Sequence, residues 1–317
     1  MEQKKKIYII INPFSGTISK QNIPENVYRI LDQNIFDIEF LKTEYAGHGY
    51  ELALKAVEEG ADYVIAVGGD GTVNEIGRAL VGSETTLGII PLGSGNGLAR
   101  ELNIPRNVKD ALHTIAEQHI ISIDYGVVND HIFFCTCGVG FDAVVAERSA
   151  GQKKRGTLMY FKNMLESFFS EKPKTYEITY SGGHFVEKAF VVTCANASQY
   201  GYEAHIAPHA DIQDGKINLA ILLPLEIQDI PKTAAQLFTR TLDNNKKMLS
   251  LVTNEVIIRR EKEGVMHIDG DPVYTGQEIR VKTIPAGIKV IVPKVIPKKN
   301  PLDPEEIFLK VLRAIHG

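Results

Sequence analysis

Cysteine is scarce in this 317-residue chain, and the three that occur, Cys135, Cys137 and Cys194, form an odd set without C-x-x-C spacing. That argues against a disulfide framework or a zinc site and leaves packing in a reducing cytoplasm as the expected role. Long apolar runs are missing too. None approaches the ~18 residues of a membrane span. The segment Ile7 to Ile11, behind Lys4 to Lys6, is too short for the apolar part of a signal peptide. A soluble, cytoplasmic protein is expected. Charge of one sign is also lacking: the formal net charge is -4. This argues against a nucleic-acid binder but leaves room for a basic patch that meets an anionic membrane. No internal repeat or low-complexity segment is present. The length points to two domains, because one core rarely grows past ~250–300 residues.

What is present is organised around Tyr63-Val-Ile-Ala-Val-Gly-Gly-Asp-Gly-Thr-Val-Asn-Glu75. Tyr63 to Val67 is an unbroken β-prone run, as expected of a strand buried on both faces of a parallel sheet. Gly68 and Gly69 break it, and from Val73 the spacing turns helical, with Ile76, Ala79 and Leu80 on one face. A strand, a glycine turn and a helix N-terminus gather free backbone N–H groups into an anion site. Asp70 would repel a bare phosphate there, so a bridging Mg²⁺ is expected. An Asp-Gly hairpin would need alternating flanks, which are absent.

A first strand, Ile7 to Ile11, runs into the turn Asn12-Pro13-Phe14-Ser15-Gly16, placed where open α/β sheets bind ligands. A helix (24–34), a strand (37–42) and a helix (50–59) continue the βα pattern. Thr43 ends the second strand, either as a phosphate contact or as a plain cap. A second strand-glycine-helix unit follows, Pro91-Leu-Gly-Ser94-Gly-Asn-Gly97, and two such loops on neighbouring strands would grip one polyphosphate. Arg78 and Arg100 follow the two loops as candidate phosphate partners, with a solvated helix face the simpler reading for Arg78.

From Gly126 short strands with tight turns take over: a hairpin at 127–135 turning at Asn129-Asp130, then strands at 176–180, 187–195, 217–223, 255–260, 265–268, 278–283 and 287–292. Helices are expected at 141–150, 157–169 and 231–238. This is an antiparallel sheet or sandwich. The organisation is an α/β nucleotide-binding domain (1–125, with a C-terminal helix in 300–317 folding back on it) and a mostly-β domain (126–299). In the latter, Asp211 and Asp214 occupy a turn-rich loop that would hold a hard cation or form a hairpin at Asp214-Gly215. Asp269-Gly-Asp271 reads as a turn, and His205, His209 and His267 as structural residues. Lys153 to Arg155, beside the apolar 157–169 helix, would suit an anionic bilayer, although a helix buried in the core accounts for most of those apolar side chains.

Taken together, these residues resemble the diacylglycerol kinase catalytic family, with its bacterial soluble lipid kinases and the related sphingosine and ceramide kinases. The resemblance rests on Asn12-Pro-x-Ser-Gly16, Gly68-Gly-Asp-Gly-Thr72 with Asn74-Glu75, Pro91-x-Gly-Ser-Gly-Asn96, Ala207-Pro-x-Ala210 with Asp214-Gly215, and Asp269-Gly270. Gly-Gly-Asp-Gly alone is shared with NAD kinases and phosphofructokinases, which the first domain should resemble. The family implies ATP held by Asn12, Pro13, Phe14, Ser15, Gly16, Thr43, Gly69, Asp70, Gly71, Thr72, Val73, Asn74, Glu75 and Ser94. It implies a structural Mg²⁺ on the Asp214 carboxylate and the main-chain oxygens of Asp211 and Lys216. It also implies Asp271 as the general base acting with Asp70, at a position where the family usually has glutamate. The expected partner is a lipid met transiently at a membrane surface, with no nucleic acid; a homodimer is compatible. Rival readings are a sphingoid-base or other lipid-alcohol kinase, an NAD-kinase-like enzyme with a soluble substrate, and a nucleotide-gated lipid-binding protein without turnover.

Overall fold

The computed structural model describes residues 3–16, 20–150 and 172–295. The expected 157–169 helix, the Lys153–Arg155 run and the C-terminal helix lie outside the described residues. The chain divides into two compact units, with boundaries between Asp124 and Tyr125 and between Pro285 and Ala286.

The first unit alternates strand and helix: β1 (Lys5–Ile11), α1 (Ile23–Ile30), β2 (Phe36–Lys42), α2 (His48–Glu58), β3 (Tyr63–Gly68), α3 (Asp70–Leu80), β4 (Thr86–Pro91), α4 (Gly97–Glu101) and α5 (Val108–Glu117). The strands pair in parallel in the order β2-β1-β3-β4. Every residue of β3 and β4 is buried, which is why both strands read as continuous apolar runs rather than alternating ones. Ile7, Ile9 and Ile11 share a core with Val27 of α1 and Leu112 and Ile115 of α5. The chain leaves β1 to one side for β2 and returns on the other for β3, so the ligand crevice of such a sheet opens beyond the carboxyl ends of β1 and β3. Helix α1 stops at Ile30, short of the expected 34. The cause is local: the Asp32 carboxylate accepts from Asn34 N at 2.8 Å and its carbonyl accepts from Phe36 N at 2.9 Å, folding the chain into a turn.

The second unit contains the end of β5 (Ile120–Val128), β6 (His131–Phe133), β7 (Thr136–Gly140), α6 (Phe141–Ala150), β8 (Lys174–Tyr180), β9 (Gly183–Ala189), β10 (Val191–Ala195), β11 (Ile217–Leu222), α7 (Ile230–Thr239), β12 (Met248–Thr253), β13 (Glu255–Arg260), β14 (Gly264–Ile268), β15 (Asp271–Thr275) and the first part of β16 (Glu278–Ile291). Its strands form two antiparallel layers, β16-β13-β8-β9 and β12-β11-β10-β7-β14-β15. Ile178, Val256, Ile258 and Val281 of one layer pack with Val139, Val192, Leu219 and Ile221 of the other, which makes the unit a sandwich. The three cysteines form no disulfide and are buried. Burial pushes the Cys137 thiol well up, its contact with Cys194 adding to the effect, so it stays a neutral packing group. Among the described residues no helix is long and apolar enough to cross a membrane.

Three strand readings change. The expected strand 187–195 is two strands in different layers. Phe190 turns the corner by donating its N–H to Leu222 O at 2.7 Å and accepting from Phe141 N at 2.9 Å. The expected strands 278–283 and 287–292 are one, β16, running through Pro285; Ala286 takes φ 49° and its N–H is met by the buried Asp124 carboxylate at 2.7 Å. Strands β12 and β15 were absent from the sequence reading, because each is a short strand at the edge of its layer with an alternating or polar surface.

Candidate active site

In the first unit the loops after β1, β3 and β4 converge. Asn12 ties the first two: its N–H donates to Val67 O at 3.0 Å and its Nδ2 to Thr72 Oγ1 at 2.9 Å, while its Oδ1 accepts from Phe14 N at 2.9 Å. Ser15 donates from Oγ to Asn12 O at 3.0 Å, and Pro13 and Phe14 stand exposed. Gly16 has φ +62° and lies so close to the β4 loop that a Cβ there would come within 1.9 Å of Leu92 O. A Cβ on Gly93 would meet Gly69 Cα at 2.6 Å. The loops therefore touch backbone to backbone, and only glycine permits it. Gly69 is the N-cap of α3 and no side chain caps that helix. Its first-turn N–H groups remain for an anion. Gly71 opens to solvent, Thr72 and Val73 are buried, Asn74 is half-buried, and Ser94 stands exposed at the tip of the β4 loop.

Both acidic residues of α3 prove to be tethers. Asp70 accepts from Asn96 N at 2.8 Å and Gly97 N at 2.6 Å, where α4 begins. Glu75 accepts from Gly47 N at 2.9 Å and Gly49 N at 3.1 Å, where α2 begins. The charge of Asp70 thus has two N–H donors of its own, so a bridging metal is not needed to explain a carboxylate among phosphate-binding groups. Thr43 is buried at the end of β2, its N–H on Ile11 O at 3.0 Å. Arg100 is spent on the β4 loop, with Nε donating to Gly95 O at 2.7 Å, and Arg78 lies over the Tyr50 ring at 5.7 Å. Lys20 was not singled out by the sequence. It donates to Ser15 O, and to Pro13 O at 3.3 Å, and its burial lowers its pKa. Nothing in a lone lysine after a loop signals this.

In the second unit Asp269 and Asp271 part company. Asp269, at φ 49°, accepts from the N–H groups of Phe134, Cys135 and Thr136 at 2.8, 2.8 and 3.0 Å. With Gly270 at φ 90° it forms the turn that presents Asp271, which is exposed at the start of β15. Replacing Asp269 by alanine strands three backbone donors. The expected loss is at least about 2 kcal/mol, since each unmet buried donor costs ~1–3 kcal/mol. Urea unfolding checks this, and a loss under ~0.5 kcal/mol, the level of a bland surface change, would reject the clamp.

The Asp211–Lys216 loop closes on itself. Asp211 Oδ1 accepts from Gln213 N at 3.0 Å and Asp214 Oδ1 from Lys216 N at 2.9 Å. Among the described residues no group of three or more His, Cys, Asp or Glu side chains is arranged for a metal. One carboxylate with main-chain carbonyls is nevertheless an all-oxygen set that suits a hard cation. The sequence also missed a buried polar cluster. Asp142 Oδ2 meets Thr193 Oγ1 at 2.8 Å, Tyr200 OH at 3.0 Å and His267 Nε2 at 3.1 Å, over Gly138, where a Cβ would lie 2.9 Å from it. His205 pairs with Ser198 and Arg240, and His209 with Asp243 at the surface, so each of the three histidines has a side-chain partner.

Residues 6–128 match the diacylglycerol kinase catalytic domain, and residues 135–292 match the YegS C-terminal NAD kinase beta sandwich-like domain. A diacylglycerol kinase of Bacillus subtilis (strain 168) is 30% identical over 275 residues, 84% of this chain and 90% of the relative. A "Probable lipid kinase YegS-like" protein of Klebsiella pneumoniae is 29% identical over 87% of this chain and 92% of its own length. The crystal structure of a diacylglycerol kinase from Bacillus anthracis str. Sterne shares the fold with TM-score 0.70 at 19% identity, over 92% of this chain and 98% of that one. An NAD kinase from Archaeoglobus fulgidus shares it with TM-score 0.51 at 11% identity, over 98% and 99%. On the converging glycine loops and on this likeness across both units, the chain belongs to the diacylglycerol kinase catalytic family of lipid kinases.

Proposed function

We propose that the protein transfers the γ-phosphate of ATP to the hydroxyl of a lipid such as diacylglycerol, at a membrane surface. The observation that carries this reading is the backbone contact of Gly69 with Gly93, beside the uncapped start of α3. Phosphoryl transfer depends on positioning and charge neutralisation more than on covalent chemistry. The α3 N–H groups and the Asn12–Gly16 loop hold the phosphates, and Asp70 and Glu75 hold the loops that hold them. Asp271 accepts the proton of the lipid hydroxyl as its oxygen attacks the γ-phosphorus and ADP departs. Mg²⁺, when bound with the triphosphate, would offset its charge. The name of the Bacillus subtilis relative supports diacylglycerol as the acceptor.

Labelled ATP incubated with the protein and a total lipid extract tests the reading. Label should move into a phosphorylated diacylglycerol. Label in an aqueous product, or ATP bound without transfer, would overturn it.

A structural Mg²⁺ on the Asp214 carboxylate and the carbonyls of Asp211 and Lys216 belongs to the same proposal. An ion bound only by the folded state stabilises it by mass action. The wild-type melting temperature should rise with Mg²⁺, and that of Asp214→Ala much less; equal rises in both would remove the site.

A further inference from the structure

Exposed aromatic rings on the first unit differ in how firmly they are held. Tyr28 packs edge-on against Phe40 and Tyr50 lies under Arg78. Phe14, 79% exposed, has no ring partner among the described residues. Tyr45 is 54% exposed yet held at two points. Its ring stacks on His48 with centroids 4.5 Å apart and planes 3° apart, and its hydroxyl donates to Glu51 Oε2 at 2.7 Å. That bond raises the Tyr45 pKa and keeps the hydroxyl a donor. His48 is held in turn, its Nδ1 accepting from Glu44 N at 3.1 Å. The loop beneath is pinned to α3, since Glu75 accepts from Gly47 N and Gly49 N. One face of Tyr45 is used by His48, so its exposure falls on the other face and the edges.

The ring's place is as telling as its rigidity. Thr43 N donates to Ile11 O, which sets the end of β2 beside Asn12, the first residue of the Asn12–Gly16 loop. Tyr45 follows two residues later. It starts about one strand spacing (~5 Å) to the side of that loop and a few Å beyond the sheet edge, an offset of the order that a ribose spans. A flat, pre-set ring with a free face binds a purine by stacking at little entropic cost. We propose that Tyr45 is the platform on which the base of the nucleotide stacks, with His48 and Glu51 as its supports; this rests on the ATP reading above.

Calorimetric titration with two probes, Mg·ATP and Mg·tripolyphosphate, tests it. Tyr45→Ala should weaken ATP binding roughly 5- to 150-fold, the range for removal of one base–aromatic stack, and leave tripolyphosphate binding unchanged. Tyr45→Phe, which keeps the ring, should bind ATP close to wild type. Equal ATP affinity in wild type and Tyr45→Ala overturns the proposal. So does equal weakening of both probes, which would give Tyr45 a role in loop shape alone. A loss confined to Phe14→Ala would move the base to Phe14 and likewise overturn it. A wild-type protein that binds neither probe would overturn the ATP reading itself.

Discussion

Replacing Asp271 by asparagine should lower kcat by ~10²–10⁴-fold, the contribution of a general base, and leave ATP affinity near wild type. The expectation rests on how the carboxylate is presented. Asp271 is exposed, as a group that meets an incoming hydroxyl must be, yet it follows a turn whose backbone is clamped by Asp269 through three N–H groups. Its reach is one methylene shorter than that of a glutamate, a difference of roughly 1.5 Å. A base must come within about 2.6–3.2 Å of its proton, directly or through one water. Asp271→Glu should therefore stay active, because the longer side chain reaches at least as far. Lipid phosphorylation by Asp271→Asn at the wild-type rate would mean that the base lies elsewhere.

For Asp70→Asn the expected result is a fall in phosphoryl transfer on the order of 10²-fold or more, the penalty of a misplacement of about 1 Å near the chemistry. Asparagine keeps one acceptor oxygen, but its amide nitrogen cannot accept from the second of the N–H groups of Asn96 and Gly97. The start of α4 loses a charge-assisted bond worth about 1.5–3 kcal/mol, and the β4 loop shifts against Gly69, which it touches. Magnesium titration separates this from a metal-binding role. If Asp70 acts by tethering the loop, kcat of the variant stays low at every Mg²⁺ concentration. If it acts through the ion, high Mg²⁺ restores activity. Near wild-type turnover at ordinary Mg²⁺ would remove Asp70 from the site altogether.

The fold class and the glycine loops were legible because each depends on local sequence pattern. Continuous apolar runs at β3 and β4 mean strands covered on both faces, and glycines at their ends mean close backbone approach. In the second half, short strands following one another through tight turns marked an antiparallel arrangement. Strand 187–195 was misread because nothing local distinguishes a chain that continues from one that changes layers at Phe190. The strands expected at 278–283 and 287–292 join into one, and the buried Asp124 carboxylate supplies the Ala286 N–H with a partner from far along the chain.

The candidate site shows the same division. Motif residues such as Asn12, Gly69, Gly93 and Asp271 carry their signals in type and spacing, so a glycine-lined loop edge and an acidic turn were legible in the sequence alone. What the acidic residues do was decided by the tertiary structure. Asp70, Glu75 and Asp269 look alike in a sequence, as carboxylates near glycines, and each proves to be the acceptor for backbone N–H groups of another segment. Lys20 and the Asp142–His267 pair had no sequence signature at all. The physical reason is the range of the interactions. Backbone propensity and hydrophobic period act over a few residues, whereas a hydrogen bond joins whichever donor and acceptor the folded chain brings within about 3 Å, for Asp70, Glu75 and Asp269 across 26 to 135 residues of sequence.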